Sequence, residues 1–404
     1  MKRWAPALPA ALVLLAFAPA LRAGFVNWDD YGNIVNNPWL GTSRAWLEAF
    51  TSTHYGHFQP LAWLSLSLDK LVWGANPFGF HLTNLLLHAA AAVLLALLIK
   101  DVTGGTSAAL AAALWAVHPL RVEAVAWVTE RRELLAVVFL LLSTRFYVAG
   151  RKDAALLAFT AAALSKVTTA VFPLVLLCCD YWRGRPRVKE KLPYFIISAV
   201  ILALGVRAQH LSGTTVPFTA FGVADRLSQA LFGPGWYLAK TLFPAGLSPF
   251  VYVERAAEGA RYYPYALLSL AALTALWFAR RRRGLIALAG ASFLFLLPSL
   301  GFFKSGPQTV ADRFFHMASV PLSIAAASAL ARSARARLAA ALALLAFVPL
   351  TFAQTSVWKD SVSLWTRAFT SVDNPSPLVV QNLAAALRET GREPEAAALF
   401  ARLV

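Results

Sequence analysis

Two carboxylates stand side by side, Asp29 and Asp30, in the stretch Phe25 to Asp30, just past the first membrane-length apolar run. Ionisable groups at a bilayer edge are costly to bury, so paired acids there mark a candidate site. The plain alternative is a solvated loop. Adjacent carboxylates raise each other's pKa, so one can act as a base while its neighbour orients a partner. A second concentration comprises His118, Arg121, Glu123, Arg131, Arg132 and Glu133. On a continuous helix, Glu123, Trp127 and Arg131 would share one face. Lys166 interrupts an apolar run, and Asp312-Arg313 opens another. His81, Asn84 and His88 fall at i, i+3 and i+7, which suits a polar packing stripe better than a metal site.

Such residues need elements to hold them. The chain has 404 residues, 58% of them hydrophobic and 14% charged, with 37 Lys and Arg against 20 Asp and Glu. A soluble domain would carry more charge. Apolar runs near bilayer length recur around 5–22, 80–99, 106–120, 133–149, 154–168, 169–182, 192–208, 263–279, 284–301, 314–331 and 338–354, and eleven of them predict an all-α polytopic membrane protein. With the N-terminus inside, the cytoplasmic segments hold seventeen basic residues, from Lys2 and Arg3 through Arg183, Arg185, Arg187 and Arg280 to Arg283, against the three acids Asp101, Asp153 and Glu190. That asymmetry is the positive-inside pattern. It accounts for fourteen of the net +17 charges and removes the case for nucleic acid. The first segment resembles a signal peptide, but Leu21 sits where a small residue is needed before Ala23, so it is expected to stay as a helix. Cys178 and Cys179 are neighbours in an apolar span, pointing apart, with no metal-ligand spacing.

Two long outer regions interrupt the spans. In the first, Trp46, Leu47 and Phe50 recur at helical spacing and predict a helix lying on the membrane surface. Residues 61–73 predict a second interfacial or re-entrant helix. In the second region, Leu227 to Phe243 is apolar but carries Gly233-Pro234-Gly235, which predicts a broken, re-entrant element. After Gln354 the character changes. Ala384, Gly391 and Ala396, with Leu383, Leu387 and Phe400, match the spacing of one tetratricopeptide repeat. One repeat cannot bury its own face, so it must dock on the membrane domain or on a partner. The expected division is 1–355 for the membrane domain and 356–404 for the linker and repeat.

Taken in order, these residues resemble a family. Trp28-Asp29-Asp30 with Asn36-Asn37, His81 to His88, His118 to Trp127 followed by Arg131 and Glu133, Ser165-Lys166, Asp312-Arg313 and the closing repeat are together similar to the bacterial relatives of the transmembrane and tetratricopeptide-repeat (TMTC) O-mannosyltransferases, in the GT-C glycosyltransferase superfamily. The chain departs from that pattern at Gln59-Pro60-Leu61, Lys166-Val167 and Asp312 to Ser319.

The resemblance implies a GT-C-like bundle with periplasmic loop helices, and inverting transfer of a hexose from a polyprenyl-phosphate carrier. The acceptor would be a protein Ser or Thr hydroxyl, or alternatively a glycolipid. The setting would be a bacterial inner membrane, with the N-terminus cytoplasmic and the site and C-terminus periplasmic. Such a reaction needs a base for the acceptor hydroxyl, cations for the leaving phosphate and a membrane-level groove for the tail. The resemblance places the base at Asp30 or Asp29, with Asp30 preferred. Arg131 is the first candidate for the phosphate, since guanidinium meets phosphate through two hydrogen bonds; a structural network with Glu123 is the alternative. Lys166 either contacts the phosphate or snorkels, and Arg313 either contacts the phosphate or pairs with Asp312. His118, Arg121 and Glu123 complete the binding set, although His118 before Pro119 could instead cap its loop. No motif demands a metal, and a divalent cation beside the acids is left open. Two other classes compete: a flippase for lipid-linked sugars, and a non-catalytic scaffold that binds through the repeat.

Overall fold

In the computed structural model, residues 7–105, 107–213, 217, 219–253, 259–302 and 306–402 are described. Lys2 and Arg3 of the charge argument lie outside them. The described residues are helical, joined by turns, with one isolated antiparallel bridge between Val251 and Val310.

The helices run in order α1 Ala7–Ala16, α2 Ala45–Thr51, α3 Pro60–Trp73, α4 Pro77–Thr103, α5 Ala108–Ala116, α6 Val122–Ala126, α7 Arg131–Val148, α8 Lys152–Ser165, α9 Phe172–Arg183, α10 Leu192–Ser212, α11 Val223–Leu242, α12 Gly259–Phe278, α13 Arg283–Leu296, α14 Phe315–Arg332, α15 Ala334–Ser356, α16 Ser361–Thr370, α17 Pro377–Glu389 and α18 Glu393–Phe400. Each of the eleven predicted segments is occupied by helix. Four stretches are long and apolar enough to cross a bilayer: Pro77–Thr103, Val188–Ser212, Asp312–Arg332 and Ala334–Ser356. The α5–α6 pair, bent by 62°, makes a fifth if it counts as one span. The chain is a multi-pass membrane protein by these helices.

Two bends shape the site. Between α5 and α6 the helix ends at Val117 because Pro119 has no N–H and forces His118 into an extended conformation, ψ 134°. The expected continuous face of Glu123, Trp127 and Arg131 does not exist. Trp127 is extended, ψ 115°, and a short 3-10 turn re-aims the chain before α7 starts at Arg131. Around this kink α4 packs against α5 and α7, and α14 crosses α5.

The expected break at Gly233-Pro234-Gly235 is also corrected: α11 runs through it. The glycines serve close packing on α12. A Cβ on Gly235 would sit 1.9 Å from the Tyr265 carbonyl oxygen, and the Gly235 N–H donates to Ser269 Oγ at 2.7 Å. Helix α2 forms as predicted, with Ala45 and Ala49 buried and Trp46, Leu47 and Phe50 left exposed.

The C-terminal helices do not stand apart. Trp358, Leu364 and Trp365 enter the same core as α4, α5 and α7. Helices α17 and α18 form a hairpin closed by Gly391 at φ +76°, with Ala384 and Ala396 buried between them.

Candidate active site

The polar residues predicted from sequence converge at one end of the bundle, where α7 starts, α8 ends and α14 starts. The loop carrying Asp29 lies over this end and is pinned by the C-terminal segment. Asn27 accepts from Trp365 Nε1 at 2.6 Å, and its own N–H donates to Ser361 Oγ at 2.8 Å. Trp28 stacks on Trp127 with ring centres 4.5 Å apart and also meets Trp365. Aromatic packing of this kind fixes the turn that leads through Asp29 and Asp30 into the short π-helix Tyr31–Val35.

The two acids are separated by their surroundings. Asp30 is buried and fully engaged. Its carboxylate accepts from Thr129 Oγ1 at 2.6 Å, the Thr129 N–H at 3.0 Å and the Val26 N–H at 3.2 Å. Burial pushes its pKa up to about 7 in spite of those donors. Asp30 therefore ties the first loop to the kink after Trp127. Asp29 is half-buried, and no described residue donates a hydrogen bond to its carboxylate. Burial raises its pKa above the usual range, while Arg132 and Arg313 pull it back. An unspent carboxylate beside two guanidinium groups has the properties of a base. Asp30, the slightly preferred of the two on sequence, is thus the engaged carboxylate, and Asp29 is the one left unpartnered.

Arg132 and Arg313, whose charges act on Asp29, belong with Lys166 to a cluster of cations held by buried carboxylates. Glu130, which sequence reasoning passed over, is its hub. It accepts from Arg132 Nη2 at 2.6 Å and Nε at 3.1 Å, from Lys166 Nζ at 3.1 Å, and lies 3.5 Å from Arg313 Nε. Burial alone would raise the Glu130 pKa, but Arg132, Lys166 and Arg313 together hold it well below the carboxylate range. Glu133 anchors Lys166 at 2.9 Å and faces His316 Nδ1 at 3.2 Å. Glu123 pairs with Arg313 and also accepts the Arg313 N–H at 3.1 Å. The carboxylate side chains are 0–2% exposed, whereas Arg132, Lys166 and Arg313 keep 9%, 13% and 10%. The cations are thus slightly less enclosed than the carboxylates that hold them. Arg313 lies over the Trp127 ring at 5.2 Å, and it pairs with Glu123 rather than with Asp312.

Two neighbours were not selected from the sequence. Gln59 Oε1 lies 3.5 Å from Arg132 Nη1, and its Nε2 is buried without a partner. Burial and the charge of Arg132 hold the His57 pKa down to about 3, so this ring is neutral beside the cluster.

Three predicted binding residues are placed otherwise. Arg131 stands outside this cluster and is fully enclosed. It donates to Asn84 Oδ1 at 2.5 Å, Asp69 at 2.6 Å, Ser65 Oγ at 2.8 Å and the Phe80 carbonyl at 2.8 Å. Arg121 is buried, donates to the Phe315 carbonyl at 3.2 Å and lies over Trp115. His118 caps its turn: Nδ1 accepts from the Leu120 N–H at 3.2 Å, while Nε2 lies 3.0 Å from the Thr241 carbonyl. His81, Asn84 and His88 contact the carbonyls of Gly24, Val125, Trp127 and Ala116, a packing stripe that fixes the kink.

An all-helical, multi-pass membrane protein with an unspent carboxylate beside a cation cluster is the class these observations define. The comparisons with known proteins are specific. The chain is similar to protein O-mannosyl-transferase Tmtc2 of Drosophila melanogaster, 32% identical over 241 residues, covering 53% of this chain and 26% of that protein. It is 36% identical to protein O-mannosyl-transferase TMTC1 of Mus musculus over 157 residues, covering 35% of this chain and 16% of that protein. It is 29% identical to protein O-mannosyl-transferase TMTC3 of Homo sapiens over 188 residues, covering 42% and 20%. The chain is thus similar over part of its length to TMTC protein O-mannosyl-transferases, and it spans about a quarter or less of the length of these curated relatives. No family model and no solved structure matches it.

Proposed function

We propose that this protein is an inverting glycosyltransferase that moves a hexose, mannose by analogy with its relatives, from a polyprenyl-phosphate carrier to a Ser or Thr hydroxyl of a protein. The observation that carries this reading is the half-buried, unpartnered carboxylate of Asp29 beside the cluster of Arg132, Lys166 and Arg313. Asp29 takes the proton of the acceptor hydroxyl as that oxygen bonds to the anomeric carbon. The bond from this carbon to the phosphate oxygen breaks on the opposite face, and its electron pair stays with the phosphate. The three cations hold that charge, already oriented by Glu123, Glu130 and Glu133 and so needing little reorganisation. The Gln59 amide and the neutral His57 suit the uncharged hydroxyls of a sugar.

We place the site on the periplasmic side of a bacterial inner membrane, because the exposed basic loops gather at the other end of the bundle. The hairpin α17–α18, read as one tetratricopeptide-like repeat, presents the acceptor or a partner near Asp29. The test is transfer of radiolabelled sugar by purified protein in lipid from a panel of polyprenyl-phosphate sugars, with membrane extract as acceptor. Turnover with one donor and inversion at the anomeric carbon support the reading. A folded protein that transfers from no donor, or that moves the carrier across vesicles without transfer, refutes it.

A further inference from the structure

The opposite end of the bundle carries a second polar cavity that the transfer reaction does not use. Helix α7 separates the two, and its 18 residues span about 26 Å. This cavity, about 220 Å³, lies among the end of α7, the start of α8, the end of α9 and the turn before α10. Two lining residues are tied to a buried cation behind them: Lys191 pairs with Asp180 and with Tyr147, and the Tyr147 hydroxyl donates to Asp180 at 2.5 Å. The rim carries Lys152, Arg183, Arg185 and Arg187, all exposed.

The acids at this cavity are already committed. Asp180 holds Lys191 and the Arg187 N–H, and Glu190 holds Lys152 at 3.0 Å and Arg187 at 3.6 Å. The Arg185 side chain has no protein partner among the described residues, and Arg183 has only a 3.5 Å contact to the Val148 carbonyl. Two guanidinium groups therefore remain open to an anion.

A narrow apolar slot of about 80 Å³ adjoins this cavity, and Val148 lines both. The slot passes between α4, α7, α9, α13 and α14, bounded by Val102, Val148 and Trp182 at the basic end and by Val137, Phe295 and Met317 at the other. From Val137 to Val148 it runs about 16 Å along α7. That is close to half of a hydrocarbon core about 30 Å thick, the depth of one leaflet. At the far end lie Glu133 and His316, both buried and facing each other. The anionic end of an occupant therefore belongs at the basic cavity and its chain in the slot.

We infer that this pair of cavities is a binding site for an anionic phospholipid of the adjacent leaflet, its phosphate held by Arg183 and Arg185 and one acyl chain lying in the slot. Basic pockets between membrane helices are suited to such headgroups. A free phosphate would use the arginines and leave the slot unfilled. The inference does not depend on the transfer reaction.

The protein contains two cysteines, Cys178 and Cys179, and both line the slot. Their labelling rate by a small thiol reagent thus reports whether the slot is filled. Full-length protein in neutral detergent would be titrated with long-chain phosphatidylglycerol, short-chain phosphatidylglycerol, long-chain phosphatidylcholine, inorganic phosphate and polyprenyl phosphate. Binding would be followed by native mass spectrometry beside cysteine labelling. The expected result is saturable binding of long-chain phosphatidylglycerol with slowed labelling. In the Arg183→Ala/Arg185→Ala variant its affinity should fall about tenfold to thirtyfold. The single variant Arg185→Glu, at an exposed position, should show the same loss with an unchanged unfolding midpoint. Equal binding of phosphatidylcholine would overturn the headgroup assignment. Binding of inorganic phosphate as tight as the long-chain lipid would make this a soluble-anion site and overturn the inference. Polyprenyl phosphate protecting the cysteines equally in wild type and variant would give the slot to the carrier tail and overturn it as well.

Discussion

Arg131 offers the sharpest separation between a binding residue and a structural one. Its guanidinium is completely enclosed and satisfies Asp69, Asn84, Ser65 and the Phe80 carbonyl. Replacing it with leucine leaves the Asp69 carboxylate, 8% exposed, without its cation. Breaking a buried pair from one side costs about 3–5 kcal/mol. A native protein has on the order of 5–15 kcal/mol in reserve, so the loss should be plain in an unfolding curve. Removing Asp69 as well should recover part of it, because Arg131→Leu/Asp69→Leu strands no charge. The assay is thermal unfolding in detergent followed by tryptophan fluorescence, for wild type, both single variants and the double variant. Donor binding would be measured below the midpoint. We expect lowered midpoints in both single variants, partial recovery in the double variant, and donor affinity within about threefold of wild type wherever the fold persists. An Arg131→Leu protein that unfolds like wild type but no longer binds the carrier phosphate would refute the assignment and restore Arg131 to the binding set.

Three other outcomes follow from the same geometry. Arg132→Gln and Lys166→Gln each remove one cation of the cluster, and either should lower kcat/KM for the donor about tenfold to a hundredfold, measured by steady-state transfer; unchanged kinetics in both would remove the cation cluster from the mechanism. Asp29 must be ionised to act as a base, and burial raises its pKa above the ordinary 3.8. Activity should therefore fall on acidification along a limb lying above pH 4 in kcat/KM, and a limb below that value would contradict the assignment. Trp365→Phe deletes the 2.6 Å donor to Asn27. It should cost about 1–2 kcal/mol of stability and lower kcat more than it changes donor KM, because the loop carrying Asp29 loosens; a KM effect alone would argue against this.

What the sequence disclosed follows from how far each signal reaches. Apolar runs are local, so a helix stands at every predicted segment, and the surface helix with Trp46, Leu47 and Phe50 was readable for the same reason. Gly233-Pro234-Gly235 misled because its role is set by Tyr265 and Ser269 on another helix. The face joining Glu123 to Arg131 failed because Trp127 leaves the helical region, which spacing does not reveal. Arg131 and Arg132 are adjacent in sequence and are told apart by their partners, Asp69, 62 residues before Arg131, for the one and Glu130 for the other. Asp29 and Asp30 are told apart by Thr129, 99 residues beyond Asp30. Glu130 had a visible signal: it opens a run of Glu-Arg-Arg-Glu, two bases flanked by two acids, at the start of an apolar helical run. A buried hub of charge is what such a run supplies when it folds inward rather than facing solvent.

The most direct measurement compares Asp29→Asn with Asp30→Asn in purified protein, recording kcat, donor affinity and unfolding midpoint for each. If Asp29 is the base, Asp29→Asn should lower kcat by about 10² to 10⁴ while leaving donor binding and the midpoint near wild type. Asp30→Asn should lower the midpoint, because its carboxylate holds Thr129 and Val26. The opposite pattern, an active and stable Asp29→Asn beside a stable but inactive Asp30→Asn, would contradict the account.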